Sequence, residues 1–432
     1  MVRTPSGAVN EAGRAEARYN AGGMRRLTTS SGAAILLAVA ALPGRTNQAA
    51  PATGNGRAAV SELPADAAQE NALRDAVGRG FRVQRTPHFL IAHDVDPQQI
   101  QPFVARVEYT YASIRRFCAA HNIPFQEPSR KLEMVYFATF DAYARYARRL
   151  QFVAEGTYGF YHQPTNRAAF FDAASHADLA RLREDVEAAR RTVGAMERQL
   201  ARAGPSADRV VLFFGDGGQR TVTRDQARKE LAGTQRKLRE LAAEAERHAE
   251  RINRTVVQHE TAHQVLFNAG VHKAGPPWLV EGLAMLFETP PTGAGSGIGA
   301  LNDLRLRDFR SVLDAFNGRK PVRPDDLVAA IRNGPFVSVE RLLTDKSLLE
   351  ARGDAGATYY AEAWALAHYL HRTSPTKFAE YVKRISRRVA EEPVTAEDEI
   401  TCFEACFGRI DEAFLRRWAR FMISLGGATD GP

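Results

Sequence analysis

His259-Glu260-Thr261-Ala262-His263, followed after seventeen intervening residues by Glu281 within Pro277-Trp278-Leu279-Val280-Glu281-Gly282, decides the reading of this chain. Histidines four apart on a helix lie on one face, so both imidazoles can reach one ion. Glu260, beside the first of them, is placed to act on whatever else that ion holds. A tetrahedral ion needs a further protein ligand, and Glu281 is the candidate. Val256, Val257, Leu266 and Phe267 supply the apolar neighbours of a helix. Gly270 and then Gly275-Pro276-Pro277 end it and turn the chain. A second helix is expected from Trp278 to Glu288, with Glu281 in its first turn, so that two helices converge on one point.

Upstream, Leu179, Leu182, Val186, Ala189, Val193, Met196 and Leu200 alternate in steps of three and four. So do Ala227, Leu231, Thr234, Leu238, Leu241, Ala245, His248 and Ile252. Arg, Lys and Glu crowd the other positions. Two heptad runs with a break between them predict an antiparallel coiled-coil hairpin over 174–254. The break at 204–223 holds Val210 to Phe214 and Gly215-Asp216-Gly217-Gly218, a strand-turn-strand pattern at the tip. The second stripe continues through Val256, His259, His263 and Leu266 at the same spacing. One nearly continuous helix from about Arg224 to Asn268 is therefore expected.

Residues 78–173 read as a small α/β unit in the order β-α-β-α-β-β. The strands are Phe89–Ala92, Leu132–Phe137 and the pair Tyr158–Tyr161 and Arg167–Phe171. Phe103, Val107, Tyr111, Ile114 and Cys118 mark one helix, and Phe140 to Leu150 a second. The 158–171 hairpin is the candidate sheet edge, able to hold an extended peptide in register; an ordinary scaffold hairpin is the other reading. Downstream, 255–432 reads as a helical subdomain. Helices are expected at Leu301–Phe316, Pro324–Arg332, Val339–Leu343, Tyr359–Arg372 and Pro375–Arg388, with one or two more from Phe403 to Leu425.

Residues 1–50 carry six arginines and two glutamates. Met24-Arg25-Arg26 and the apolar run Ala33–Leu42 have the layout of a secretory signal, with translation able to start at Met24. The run is too short for a stable membrane span. A disordered Ala-rich tail is the competing reading. Residues 51–77 read as a linker, and export to the periplasm, cell envelope or exterior is expected. Of the formal charge of +8, half lies in the first fifty residues, so no nucleic-acid footprint is present. Cys118, Cys402 and Cys406 are expected as buried thiols, or as one bridge from Cys118 to the C-terminal pair.

With its Trp-Leu-x-Glu-Gly-Leu-Ala context, the HExxH…Glu pattern resembles the gluzincin metallopeptidases. The wider chain resembles a bacterial family of exported gluzincin-like proteins with a peptidase MA-like domain. That likeness covers roughly 80–173 and 255–425, including Gly159-Phe160-Tyr161 and Tyr360-Ala361-Glu362-Ala363-Trp364-Ala365-Leu366. The helical arm lies outside it. The resemblance implies Zn2+ held by His259, His263 and Glu281, with Glu260 as general base. It implies an oxyanion donor from the later helices, with Tyr360 the best match and Tyr359 and His368 as further options. The expected fold class is α+β: a small mixed β-sheet domain plus a mainly helical zincin-like catalytic domain, with an inserted antiparallel helical hairpin arm. The expected activity is hydrolysis of a peptide or protein substrate. The alternatives are a non-catalytic zinc-containing envelope protein whose 176–254 arm binds a partner, and a different zinc hydrolase such as an amidase on cell-wall peptides.

Overall fold

The computed structural model describes residues 62–154, 157–204, 206–213, 218–289, 297–318, 322–350, 354–389 and 393–425. The expected export signal and the first part of the linker lie outside them. The fold is mixed α+β, and it divides into two compact units. One comprises Ser61–Phe171 with Arg254–Pro432, and the other contains Asp172–Asn253.

In the first unit, helix α1 (Ala67–Val77) begins inside the expected linker. Asp66 caps it by accepting from the Gln69 N–H, and Leu73 and Val77, one turn apart, are buried. The Ala-rich composition that suggests a linker also suits a helix once two apolar residues share a face. Strands β1 (Arg82–Arg85), β2 (Phe89–His93), β3 (Leu132–Phe137), β4 (Gly159–His162) and β5 (Arg167–Phe171) form a sheet in the order β1-β2-β3-β5-β4. β2, β3 and β5 run parallel, while β1 and β4 pair antiparallel at the two edges. β1 is an addition to the expected strands: Arg-Val-Gln-Arg has one apolar residue, and none of its four residues is fully buried. The expected 158–171 hairpin is present, and its first strand, β4, is an edge.

Helices α2 (Gln101–Ala120) and α3 (Phe140–Arg149) connect the parallel strands. Phe103 of α2 packs on Tyr136 and Phe170, and Tyr143 of α3 packs on Phe160 and Phe171. Neighbours along a strand face opposite sides, so α2 and α3 cover different faces.

In the second unit, α4 (Ala177–Arg202) and the hairpin β6 (Arg209–Phe213) and β7 (Gln219–Thr223) precede α5 (Arg224–Asn268). Gln235 donates to Glu197 at 2.9 Å, and Leu179 lines a cleft with Ala249 and Asn253, so the two helices run antiparallel. Met196, Val210, Leu212, Val222 and Ala227 form the small core at the tip. α5 has the bounds that the continuous apolar stripe predicts.

The helical remainder of the first unit is α6 (Pro277–Leu286), α7 (Asp303–Phe316), α8 (Pro324–Asn333), α9 (Val339–Thr344), α10 (Asp354–Thr373), α11 (Pro375–Ser386), α12 (Ala396–Phe407) and α13 (Glu412–Ser424). Trp278 of α6 stacks on Tyr381 of α11 and meets Phe403 of α12 edge-on, an aromatic centre for this half. Cys118, Cys402 and Cys406 are free thiols. Burial pushes the Cys118 thiol up to about 12. Among the described residues no helix is long and apolar enough to cross a membrane.

Candidate metal centre

The C-terminal part of α5 lies against the sheet. A Cβ on Gly159 of β4 would stand 2.8 Å from Val256 Cγ1, so a side chain there would push helix from strand. Gln264 donates to the carbonyls of Glu133 and Asn166, and the Tyr161 ring lies tilted against Phe267, 6.0 Å between ring centroids. These contacts fix the rotation of α5, and with it the direction of the His259 and His263 side chains.

The end of α5 explains how the third residue arrives. Gly270 adopts φ +76°, the left-handed conformation that glycine takes at least cost. The Val271 N–H donates to the Leu266 carbonyl and the Gly270 N–H to that of Phe267, the paired bonds of a Schellman stop. The chain then reverses and Pro277 opens α6 at its first position. Gln258 donates to the Phe287 and Thr289 carbonyls, tying the far end of α6 to α5.

His259, His263 and Glu281 converge, all buried. The two Nε2 atoms are 3.0 Å apart, and Glu281 Oε2 is 3.2 Å from His259 Nε2 and 3.5 Å from His263 Nε2. Donors about 2.0–2.1 Å from a tetrahedral ion stand about 3.3 Å from one another. The three observed separations bracket that edge, so the residues fit a small metal ion. Burial would raise the Glu281 carboxyl, but the charges and hydrogen bonds of His263 and His259 overcome it and hold it down at about 2.

Glu260 sits between His259 and His263 on α5, and its carboxylate reaches the sheet. Its Oε2 accepts the backbone N–H of Tyr161 at 3.0 Å. The carboxylate of the HExxH motif is thereby anchored to the edge strand. Burial raises its pKa against the opposing pull of His259 and His263.

Sequence reasoning missed the layer behind His259. Glu288 Oε1 stands 2.9 Å from His259 Nδ1. Arg305 of α7 donates to both Glu288 oxygens, its Nε at 2.9 Å, and Asn302 Nδ2 adds a bond at 2.7 Å. A signal was available: Glu288 follows Glu281 by seven residues, two turns of the helix expected to run to Glu288, which would set both on one face. Nothing local marks Asn302 and Arg305.

Tyr360 is buried on α10, 5.5 Å from the Tyr359 ring, and its phenol lies within electrostatic reach of Arg305. Burial first, and then Glu281, raises the Tyr359 phenol, and its hydroxyl has no hydrogen-bond partner among the described residues. His272, in the turn between α5 and α6, also lies beside the trio, its ring 6.2 Å from that of His263. Burial and the nearby His263 push its pKa down to about 3, and its Nε2 has no partner among the described residues. Two buried polar atoms near Glu281, Tyr359 Oη and His272 Nε2, are thus without a hydrogen-bond partner among the described residues. His368 stacks on Trp364 and meets Phe421, among aromatic side chains.

No curated protein matches the chain. A family model described as "Protein of unknown function (DUF1570)" matches residues 253–393, less than half of the chain. The matched segment holds His259, Glu260, His263, Glu281, Glu288, Arg305, Tyr359 and Tyr360, and leaves out the sheet and most of the arm.

Proposed function

We propose that this chain is an exported zinc-dependent peptidase of gluzincin type, acting on an extended peptide substrate. The observation that carries the reading is the placement of Glu260: beside a ligand-forming trio and hydrogen-bonded to the backbone of an edge strand. Charge supports a dication. Glu260, Glu281 and Glu288 are buried together with the guanidinium of Arg305. With both imidazoles neutral and all three carboxyls ionised, two negative charges would be left over, and unpaired buried charge is costly. Two imidazoles and a carboxylate with an open fourth position are a common donor set for catalytic zinc. When bound, zinc supplies a Lewis acid and lowers the pKa of its water toward about 7.

The residues of the chain account for the other roles. β4 offers to a peptide the part of its outer edge that Glu260 does not take up at the Tyr161 N–H, and the peptide can add there as a further strand. Glu260, held at that edge by Tyr161, takes the proton of the attacking water and delivers it to the leaving amine. His259 and His263 stay neutral as ligands, the first oriented by Glu288. The Tyr359 hydroxyl, buried and unpartnered among the described residues, is the donor for the oxyanion. Tyr360, one residue on and within electrostatic reach of Arg305, is the competing assignment.

Two measurements test this. Purified full-length chain is expected to carry about one zinc per molecule and to cleave members of a peptide library, with activity lost on chelation and restored by zinc. Metal uptake without turnover on any peptide would sink the peptidase reading and favour the non-catalytic alternative. Tyr359→Phe is expected to lower kcat by about 10²-fold with KM little changed, as for the loss of one oxyanion donor. Tyr360→Phe is expected to do much less. The reverse ranking would return the role to Tyr360.

A further inference from the structure

Glu288 joins three elements. It lies just beyond α6, it receives the His259 ring of α5, and it is gripped by Asn302 and Arg305 at the start of α7. Asn302 also caps α7, its Oδ1 accepting the Arg305 N–H at 3.3 Å. Glu288 and Arg305 are both buried, and Asp308 Oδ2 lies 4.0 Å from Arg305 Nη1.

We propose that Arg305 is a positioning residue for the metal centre. Acting through Glu288, it fixes the His259 ring with Nε2 turned to the ion, and it couples metal binding to the docking of α7. The inference rests on the reading of His259, His263 and Glu281 as metal ligands.

An imidazole that donates its Nδ1 proton to a carboxylate keeps the Nε2 lone pair for a metal, and its ring orientation is set by that bond. The carboxylate can do this only if it stays put. Arg305 binds it through a planar fork, which sets its plane as well as its place. Asn302 occupies a further acceptor direction, so Glu288 is held by His259, Arg305 and Asn302 together and has little freedom to rotate. Arg305 also carries the buried positive charge that leaves the pocket matched to a dication.

The test uses the full-length chain and zinc alone, with affinity measured by competition against a chromophoric chelator. Arg305→Met keeps much of the length and removes the fork. Its zinc affinity is expected to fall about 10- to 100-fold with unchanged helical content. Arg305→Lys should recover part of the loss. Because Arg305→Met leaves the Glu288 charge buried alone, the double variant with Glu288→Gln is measured too. Residues that act through one path are not additive, so its loss should match that of a single variant and not the product of both. Zinc should also slow amide hydrogen exchange in the first turn of α7 in the wild type but not in Arg305→Met. Unchanged zinc affinity in Arg305→Met, multiplying losses in the double variant, or α7 exchange indifferent to zinc in the wild type would overturn the proposal. A wild-type chain that takes up no divalent ion would instead overturn the metal reading beneath it.

Discussion

Glu260→Gln should abolish peptide cleavage while zinc stays in place. Glutamine has nearly the shape of glutamate, and its amide oxygen can still accept the Tyr161 N–H that now holds Glu260 Oε2. What it cannot do is take a proton from water. A positioned general base contributes about 10²- to 10⁴-fold, so cleavage should fall by that range or below detection. Metal content should not follow, because the converging donors are His259, His263 and Glu281. Cleavage of a defined peptide and zinc stoichiometry, measured on the same preparations, give the two numbers needed. A Glu260→Gln variant cleaving at the wild-type rate would remove Glu260 from the chemistry. Loss of zinc in that variant would mean that the Glu260 carboxylate belongs to the donor set.

The parts of this site that could be read from sequence are those where chemistry and local geometry coincide. His259 and His263 share a helix face by spacing alone, and Gly270 with Gly275-Pro276-Pro277 marks the turn that brings Glu281 back. The heptad stripe marks the bounds of α5, because a long amphipathic helix repeats its signal many times. Arg305 and Asn302 were hidden for the opposite reason. Each is an ordinary polar residue at a helix start, and only the fold sets both on Glu288. Tyr359 and Tyr360 differ by one position, which on a helix is a rotation of about 100°. A motif cannot settle which phenol comes within reach of Glu281 and which of Arg305, because that depends on how α10 is rotated in the fold. β1 carries no such signal because its four residues are all exposed or half-buried, so no apolar alternation marks it.

The close approach of α6 to α10 is allowed by a glycine, and filling it should damage both the fold and the site. A Cβ on Gly282 would stand 2.7 Å from Ala367 Cβ and 3.1 Å from the Ala363 carbonyl oxygen. Ala363 and Ala367 are one turn apart on α10, so a stripe of small residues lets the two helix backbones approach. The methyl of Ala367 and the carbonyl of Ala363 cannot swing aside as a long side chain would. Gly282→Val must therefore push α6 from α10, and overpacking of this kind costs about 1–3 kcal/mol. Glu281 is the preceding residue and moves with α6. Its Oε2 lies 3.2 and 3.5 Å from the two histidine nitrogens, so a shift of α6 is expected to weaken zinc binding as well. Gly233 supplies the contrast. It lies within α5, where an added Cβ would meet nothing within 4 Å. There Gly233→Ala should stabilise by about 0.5–1 kcal/mol through the unfolded chain, leaving zinc affinity alone. Thermal melting and zinc titration of Gly282→Val and Gly233→Ala should thus move in opposite directions for stability, and only the first should lose metal. A Gly282→Val chain that melts and binds zinc like the wild type would show that the third ligand does not depend on the close approach of α6 to α10.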